Sequence, residues 1–331
     1  MSRYSAAKKA KKTSANKDAI LRFEQSIEIL SKPEYKSQES VLHASKEELA
    51  EVFRQAGDYD KAISMYNECM LHQTTKEGKS EIHAGLGKVY QERGEHMEAM
   101  VELESALRYL GKKPPKNDIT AIGALIGQIF IRLFHIAFPI LIRKIKEIDK
   151  PFYQKRSSIL ITLQKIYFFT SVNKVAWAGF AHINLAERLE TEYDLCLASS
   201  SYATILQGIG FLDRSKVYYE KSTELAKKLN NPFVKALTMQ RFGLRGLYIN
   251  DPPFCHEMER SSINLFKQIG EMWEMFLAYS IELTAYFYSS DFEKSRSINL
   301  ELEELASKLN AKMYLGWICM RISIIDYLTG V

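Results

Sequence analysis

Among the residues of this 331-residue chain that could do chemistry, a glycine–lysine cluster and two cysteine–histidine pairs come first. Gly85-Leu86-Gly87-Lys88 has the residue types of a phosphate-binding loop, but the GxxxxGK[ST] spacing is missing. Cys69 with His72, and Cys255 with His256, offer zinc ligands, yet neither has the second pair that completes a four-ligand site. We therefore expect neither a nucleotide site nor a metal site.

The other titratable residues form no catalytic pattern either. The histidines considered lie far apart, and no serine or cysteine beside them belongs to a nucleophile motif; they are His43, His83, His96, His135 and His182. Clustered carboxylates such as Glu47, Glu48 and Glu51 suit the solvated face of a helix. The sequence predicts a protein that is not an enzyme and that uses no cofactor.

Composition favours long helices in a cytoplasmic protein. Glycine (16) and proline (8) are scarce, and 46% of the residues are hydrophobic, which suits helices better than a turn-rich β fold. The four dispersed cysteines are interpreted as reduced, mostly buried thiols. Residues 1–17 hold six basic residues and no acidic one, so polyanion binding is an alternative to a solvated helix there. No basic face recurs beyond this segment, and no nucleic-acid partner is expected.

A forty-residue repeat runs through the second half of the chain. Apolar residues recur in register at Leu185, Leu225, Leu265 and Leu305. Five positions after each leucine a helix is expected to end, at Glu190, Asn230, Gly270 and Asn310, and three of these four types tolerate the left-handed conformation. A second set of turn positions lies midway, at Thr170, Gly210, Asn250, Ser290 and Gly330. Apolar residues between the turns are three and four apart, so each unit is two helices of about five turns.

The first hundred residues repeat at a spacing of thirty-seven. Matching pairs are Ala50 with Gly87, Phe53 with Tyr90, Gly57 with Gly94, and Ala62 with Ala99. This order of small residue, aromatic, turn glycine and small residue fits the tetratricopeptide pattern. Regular turns argue against the alternative of a coiled coil. The predicted fold is all-α, a right-handed α-solenoid of tetratricopeptide-like helix pairs.

The segment between the two halves contains the most apolar stretch of the chain, Ile119 to Ile142. It is long enough to span a bilayer, but polar residues in its middle (Gln128, Arg132, His135) and Pro139 argue against a span. We expect a helix that begins at Asn117 or Asp118 and is buried or peripheral and amphipathic, in which Gly123 and Gly127 allow close packing against neighbouring helices. Because the basic residues Arg143, Lys144 and Lys146 follow this stretch, the alternative is a membrane-peripheral protein that contacts the bilayer through residues 1–17 and 119–146.

These observations divide the chain into four parts. They are a basic segment (1–17), tetratricopeptide-like repeats (18–111), a linker with a long apolar helix (112–150), and forty-residue repeats whose last unit is incomplete (151–331).

A concave surface lined by first helices is the expected binding site for a protein partner. Its predicted residues in the first two units are Glu47, Glu51, Arg54, Glu81, Lys88 and Gln91. Their mixed charges favour an extended or domain-sized partner over a clamped C-terminal carboxylate. Aromatic residues of the second half are either further anchors or inter-repeat core; they are Tyr193, Tyr202, Phe233, Trp273, Tyr286 and Phe287. Apolar residues near Val331, including Trp317 and Ile318, predict dimerisation or partner capture at that end.

Several segments resemble one known kind of protein region. They are residues 14–30, Tyr109-Leu110-Gly111 with Pro114, Gln128 to Pro139, and Ala181 to Leu189. Together they are similar to the tetratricopeptide region of large signalling proteins, in which an AAA-like or STAND-type ATPase is joined to a class III adenylate/guanylate cyclase or a serine/threonine kinase domain. The resemblance implies a regulatory or sensor segment, either free-standing or part of a larger or split protein. The chain has no P-loop, Walker B, cyclase or kinase motif, so no catalytic residue is carried over; a fragment of a cyclase, kinase or ATP-binding protein is the enzyme-related alternative.

Overall fold

The computed structural model describes residues 16–308 and 312–330, which fold into fifteen α-helices without a β-strand. The helices are α1 (Asn16–Leu30), α2 (Glu39–Gln55), α3 (Tyr59–His72), α4 (Lys76–Arg93), α5 (His96–Tyr109), α6 (Asp118–Ala137), α7 (Lys150–Thr170), α8 (Val172–Leu189), α9 (Glu192–Gly208), α10 (Leu212–Leu229), α11 (Pro232–Tyr248), α12 (Pro252–Ile269), α13 (Met272–Tyr288), α14 (Phe292–Lys308) and α15 (Lys312–Thr329). Short 3-10 helices cover Pro33–Gln38, Pro139–Leu141 and Glu147–Asp149. The predicted all-α fold of tetratricopeptide-like helix pairs is confirmed. Residues 1–15 and Asn310 lie outside the described residues.

The first compact unit contains α1 to α5 together with Thr162–Val172. Its small residues lie where the tetratricopeptide pattern requires close helix approach: Ala50, Ala62 and Ala99 have no exposed surface. At Gly87 an added Cβ would lie 2.5 Å from Leu103 Cγ, so only glycine fits without displacing that core leucine. The pattern therefore reports real helix–helix contacts in this unit.

The second compact unit contains Asn117–Ile161 and the chain from Asn173 onward. Its helices keep the forty-residue period: α9, α11, α13 and α15 begin at residues 192, 232, 272 and 312, and α10, α12 and α14 at 212, 252 and 292. Polar side chains cap several of these starts. Thr191 accepts a hydrogen bond from the Asp194 backbone N–H, and Asn231 does the same for Val234, which satisfies donors that a helix start leaves without partners.

Helices end at the predicted turns within the described residues, and left-handed residues close all of these turns but the one at Thr170, which ends α7 without a positive φ angle. Positive φ angles occur at Glu190 (56°), Asn230 (45°), Gly270 (75°), Gly210 (89°), Asn250 (56°), Ser290 (59°) and Gly330 (74°). The recurring helix ends are thus confirmed at every one of these positions. Glu190 adopts the conformation although its residue type gives no indication of it.

Helix α6 begins where predicted, because the Asn117 side chain accepts from Thr120 N–H in a capping box. By length and composition α6 could cross a membrane, and only 17% of its most apolar window is buried inside the protein. The expectation that Gly123 and Gly127 allow close packing against neighbouring helices is wrong, because nothing lies within 4 Å of a Cβ added at either position. Both glycines are exposed.

Candidate functional site

The predicted partner-binding residues lie on α2 and α4, the first helices of two consecutive pairs, which contact each other. Glu47, Glu51 and Arg54 belong to α2, whereas Glu81, Lys88 and Gln91 belong to α4. Glu81 is exposed, and Gln91 is buried with 6% of its surface accessible. The other four are half-buried. We call this surface the α2–α4 groove.

At one end of the groove, Arg54 is the centre of an ion-pair network. Its Nη2 lies 2.7 Å from Glu51 Oε1, its Nε donates to Glu51 Oε2 at 2.9 Å, and its Nη1 pairs with Glu92. Tyr66 donates to the same Glu51 carboxylate at 3.2 Å. Burial opposes the charge of Arg54, but the hydrogen bond and charge of Glu51 and the charge of Glu92 outweigh it and raise the pKa of the guanidinium. The network holds the charged side chains in one geometry.

At the other end of the groove, carboxylates lie close to one another. Burial raises the pKa of Glu47, and the negative charges of Glu81 and Glu48 raise it further, against a hydrogen bond from Gln73 at 3.4 Å. Such mutual repulsion marks a locally negative potential. A cation brought in by a partner would be stabilised at this end.

Lys88 lies between these ends and is half-buried. Burial lowers the pKa of its ammonium, while the charges of Glu51 and Glu92 act in the opposite direction. Sequence reasoning did not identify Glu92 or Tyr66 as groove residues. Glu92 is thirty-seven positions after Gln55, so the repeat alignment places it on the matching turn of α4, but only the folded chain shows its contact with Arg54.

Three of the six aromatic residues predicted as anchors or core in the second unit are buried. Tyr202, Trp273 and Tyr286 are 5%, 9% and 6% exposed, which agrees with their interpretation as inter-repeat core. Phe233 and Phe287 are half-buried. Tyr193 is 42% exposed and remains available to a partner.

A serine–histidine pair that no sequence motif predicts lies in the second unit. Ser157 Oγ lies 2.9 Å from His182 Nε2 across twenty-five residues of chain. The two residues are 2% and 1% exposed. Burial, followed by the charge of Arg241, lowers the pKa of His182 to about 3. General-base catalysis needs a pKa near the working pH and reach to a substrate, so this geometry suits a core hydrogen bond.

Cysteine side chains follow the predicted pattern of mostly buried thiols. Cys69, Cys196 and Cys255 are buried, Cys319 is exposed, and all four are free. Within residues 16–308 and 312–330, no group of three His, Cys, Asp or Glu side chains is arranged to hold a metal ion.

Comparisons with known proteins find similar helical-repeat structures at low identity. No family model matches the chain, and no curated protein matches it significantly. A Signal Transduction ATPase with Numerous Domains (STAND) protein with a tetratricopeptide repeat sensor from Pyrococcus horikoshii has a TM-score of 0.49 at 15% identity over 95% of this chain. This chain spans 42% of that protein's length. A tetratricopeptide repeat protein from Parabacteroides merdae gives 0.43 at 12% identity over 96% of this chain and 100% of its own. Yeast Tom70 gives 0.27 at 12% identity over 97% and 95%. With TM-scores below 0.5, these similarities leave the function of the chain to be argued from its own side chains.

Proposed function

We propose that this protein is a non-catalytic helical-repeat scaffold whose α2–α4 groove binds an extended segment of a protein partner. The observation that carries the proposal is the arrangement of charges on adjacent first helices. The half-buried Glu47 and the exposed Glu81 lie at one end, and the Arg54 network lies at the other. Charges fixed on a scaffold select complementary partners and orient them. The Glu47–Glu81 end suits a lysine or arginine side chain of the partner.

The test measures binding of a fluorescein-labelled ten-residue peptide of alternating lysine and alanine by fluorescence polarisation. We expect saturable binding to the full chain that weakens as salt is added, because exposed charges are screened over about 10 Å at 0.1 M ionic strength. Glu47→Gln with Glu81→Gln removes two carboxylates. At about 0.7 kcal/mol for each lost pair, affinity falls about tenfold.

A matched control changes the net charge by the same amount elsewhere. Glu98→Gln with Glu220→Gln alters the second helices α5 and α10, outside the groove, and should leave peptide affinity within about twofold of the native chain. Equal loss in both double variants would mean that the peptide senses net charge alone. Either that result or the absence of any peptide binding would refute the groove assignment.

The wider proposal is that the scaffold is a regulatory or sensor segment of a signalling ATPase–cyclase or kinase system, located in the cytoplasm. Its support is the resemblance of four segments of the sequence to the tetratricopeptide region of such proteins. Native affinity purification of the tagged chain, followed by mass spectrometry, should recover a polypeptide with an ATPase, cyclase or kinase domain. Recovery of complexes without such a domain would remove this part of the proposal.

Partner capture near the C-terminal helix stays a separate prediction. Helix α15 buries Ile318 and Ile325 but exposes Met320 (57%), Ile324 (43%) and Tyr327 (86%). Exposed apolar side chains on one helix commonly contribute to an interface. Charge-introducing variants of Met320 and Ile324 provide the test, together with those of α6 described below.

A further inference from the structure

Helix α6 has its polar side turned toward the protein. Arg132 Nη1 lies 2.5 Å from Glu187 Oε2 on α8, and His135 Nδ1 lies 2.8 Å from the same oxygen. Asn184, also on α8, donates to Gln128 Oε1 at 3.1 Å. The three polar residues that interrupt the apolar sequence therefore face the second unit. A peripheral helix of a monomeric protein normally has the opposite arrangement, with its apolar stripe facing the core.

The outward side of α6 is apolar and uncharged. Arg132 is the only Lys, Arg, Asp or Glu between Ile119 and Ile142, and it is 4% exposed. The large exposed side chains on the helix are Ile119 (81%), Ile122 (47%), Ile126 (49%), Phe130 (68%), Ile131 (42%), Leu133 (55%), Phe134 (45%) and Ile136 (46%). Phe138 (53%), Ile140 (95%) and Leu141 (64%) continue the surface after the helix.

The size of this surface indicates a stable interface. With about 200 Å² for each fully exposed side chain of this size, the exposed fractions of these eleven residues amount to roughly 1,300 Å². Monomeric proteins seldom expose a contiguous apolar patch larger than about 600 Å². A standard interface buries about 800 Å² on each partner. The α6 surface therefore has the area that one side of a stable dimer needs.

The centre of the outward side is shaped to receive a copy of itself. Gly123 and Gly127 leave a notch with open space above it, and Phe130 and Phe134 form a ridge one to three turns later. At 3.6 residues per turn, these four positions lie within about 60° of arc on the helix. The midpoint along the helix between Gly123 and Phe134 lies between Gln128 and Ile129. The midpoint between Gly127 and Phe130 is the same. One two-fold axis at that point places each phenylalanine opposite a glycine.

We propose that a second copy of this chain covers the α6 surface, with the two α6 helices antiparallel and Phe130 and Phe134 of each copy in the glycine notch of the other. An isologous interface of this kind needs a self-complementary patch, and a surface without charge has no like-charge repulsion across the axis. Small residues at the crossing point let two helix backbones approach closely.

A lipid bilayer fits the same surface less well. A spanning α6 would have to leave the second unit, which would separate Arg132 and His135 from Glu187 and move a guanidinium into hydrocarbon. A helix lying on a membrane normally has lysines and arginines along its polar face. On α6 that face is occupied by Gln128, Arg132 and His135, which contact α8 instead.

The first experiment measures the mass of the full chain by size-exclusion chromatography with multi-angle light scattering at about 1–100 µM, a range that populates a dimer of micromolar or tighter affinity. We expect about twice the chain mass of 38.1 kDa. Phe130→Glu with Phe134→Glu should weaken the dimer at least 100-fold. Both side chains are exposed, so the helix content of this variant should match that of the native chain, and its thermal unfolding should match that of the native chain diluted until the dimer dissociates. The matched control is Met97→Glu with Val101→Glu on α5, two exposed apolar residues at the same spacing, which should leave the dimer unchanged.

The second experiment tests the antiparallel arrangement. Ile119→Cys, in a chain with Cys319→Ser, carries a nitroxide label for double electron–electron resonance. Antiparallel helices with the stated axis place the two labels about 30 Å apart at 1.5 Å rise per residue, whereas parallel helices would bring them together.

Four results would overturn the proposal. The native chain could remain a monomer even at about 100 µM, or the dimer could be lost in Met320→Glu with Ile324→Glu but retained in Phe130→Glu with Phe134→Glu. The two nitroxide labels could be in contact, or a monomer could sediment with vesicles of phosphatidylserine and phosphatidylcholine through Phe130 and Phe134. The last result would assign the surface to membrane.

Discussion

Replacing Glu187 with glutamine should destabilise the second unit through Arg132. The guanidinium is 4% exposed, and its Nη1 lies 2.5 Å from the Glu187 carboxylate. The neutral amide keeps the size of the side chain and one oxygen acceptor but removes the charge that balances a buried cation. The rings of Tyr202 and Tyr218, whose centroids lie 5.2 and 5.5 Å from Arg132 Cζ, remain as weaker partners.

The cost follows from the burial of the pair. Breaking a buried ion pair by removing one partner costs about 3–5 kcal/mol, because the remaining charge stays desolvated. The retained amide oxygen and the two aromatic rings favour the lower end, about 3 kcal/mol. For a unit of this size, each kcal/mol lowers the unfolding temperature by about 2–4 °C, so we expect a decrease of about 6–12 °C.

Urea denaturation followed by tryptophan fluorescence is a suitable assay. The three tryptophans, Trp177, Trp273 and Trp317, all belong to the second unit, so their emission reports the unfolding of that unit alone. Glu190→Gln is the matched control. Glu190 pairs with Lys144 at 2.6 Å, but the two side chains are 44% and 66% exposed, and an exposed pair contributes about 0–1 kcal/mol.

Two comparisons decide whether the reasoning is right. Glu187→Gln should cost about 2 kcal/mol more than Glu190→Gln, and an equal cost would refute the importance of the buried charge. Arg132→Met with Glu187→Met removes both charges and should recover most of the lost stability, since apolar replacement of a buried pair is often neutral. A double variant less stable than Glu187→Gln would show that packing, and not charge, holds α6 in place.

Two further predictions concern buried positions elsewhere. Glu259 has no exposed surface, and burial, followed by the charge of Glu282, raises its pKa well above 4.5. The folded state therefore binds the proton more tightly than the unfolded state, so the free energy of unfolding should fall as pH rises above about 4.5. In urea denaturation, Glu259→Gln should be as stable as the native chain near pH 4 and more stable at about pH 8. Parallel pH profiles of the two proteins would contradict this. Gly87→Ala should cost about 1–3 kcal/mol, because its Cβ would lie 2.5 Å from Leu103 Cγ. Gly316→Ala, where nothing lies within 4 Å, should gain about 0.5–1 kcal/mol from helix propensity; equal effects of the two alanines in thermal unfolding would rule out the steric explanation.

Local sequence signals were sufficient to predict the helix pairs and their ends. A turn residue such as Asn230 or Gly270 acts within its own helix end, so its type and spacing carry the information. Glu190 shows the limit of residue type, since the period and not the side chain located that turn. The close helix contact at Gly87 could likewise be predicted from the sequence, because the small residues of the tetratricopeptide pattern mark where adjacent helices pack.

Non-local pairing was beyond the reach of these signals. Arg132 and Glu187 are fifty-five residues apart, and nothing in the spacing of either residue indicates the other. The same three polar residues that argued for an ordinary amphipathic α6 turned out to define its protein-facing side, which left the apolar side outward. In the groove, Glu47 and Arg54 could be located by helical register, but the Arg54–Glu92 contact depends on how α2 and α4 pack.

The left-handed residues that end the helices separate the positions that set the fold from the positions on its surface. Helix ends here depend on backbone conformation at residues such as Asn230, Asn250 and Gly270, and on caps such as Asn231. None of these four residues belongs to the α2–α4 groove that we propose as the partner-binding surface. Substitutions in the groove can therefore change its charge and shape while the helix ends, and the arrangement of the helix pairs that they set, stay the same.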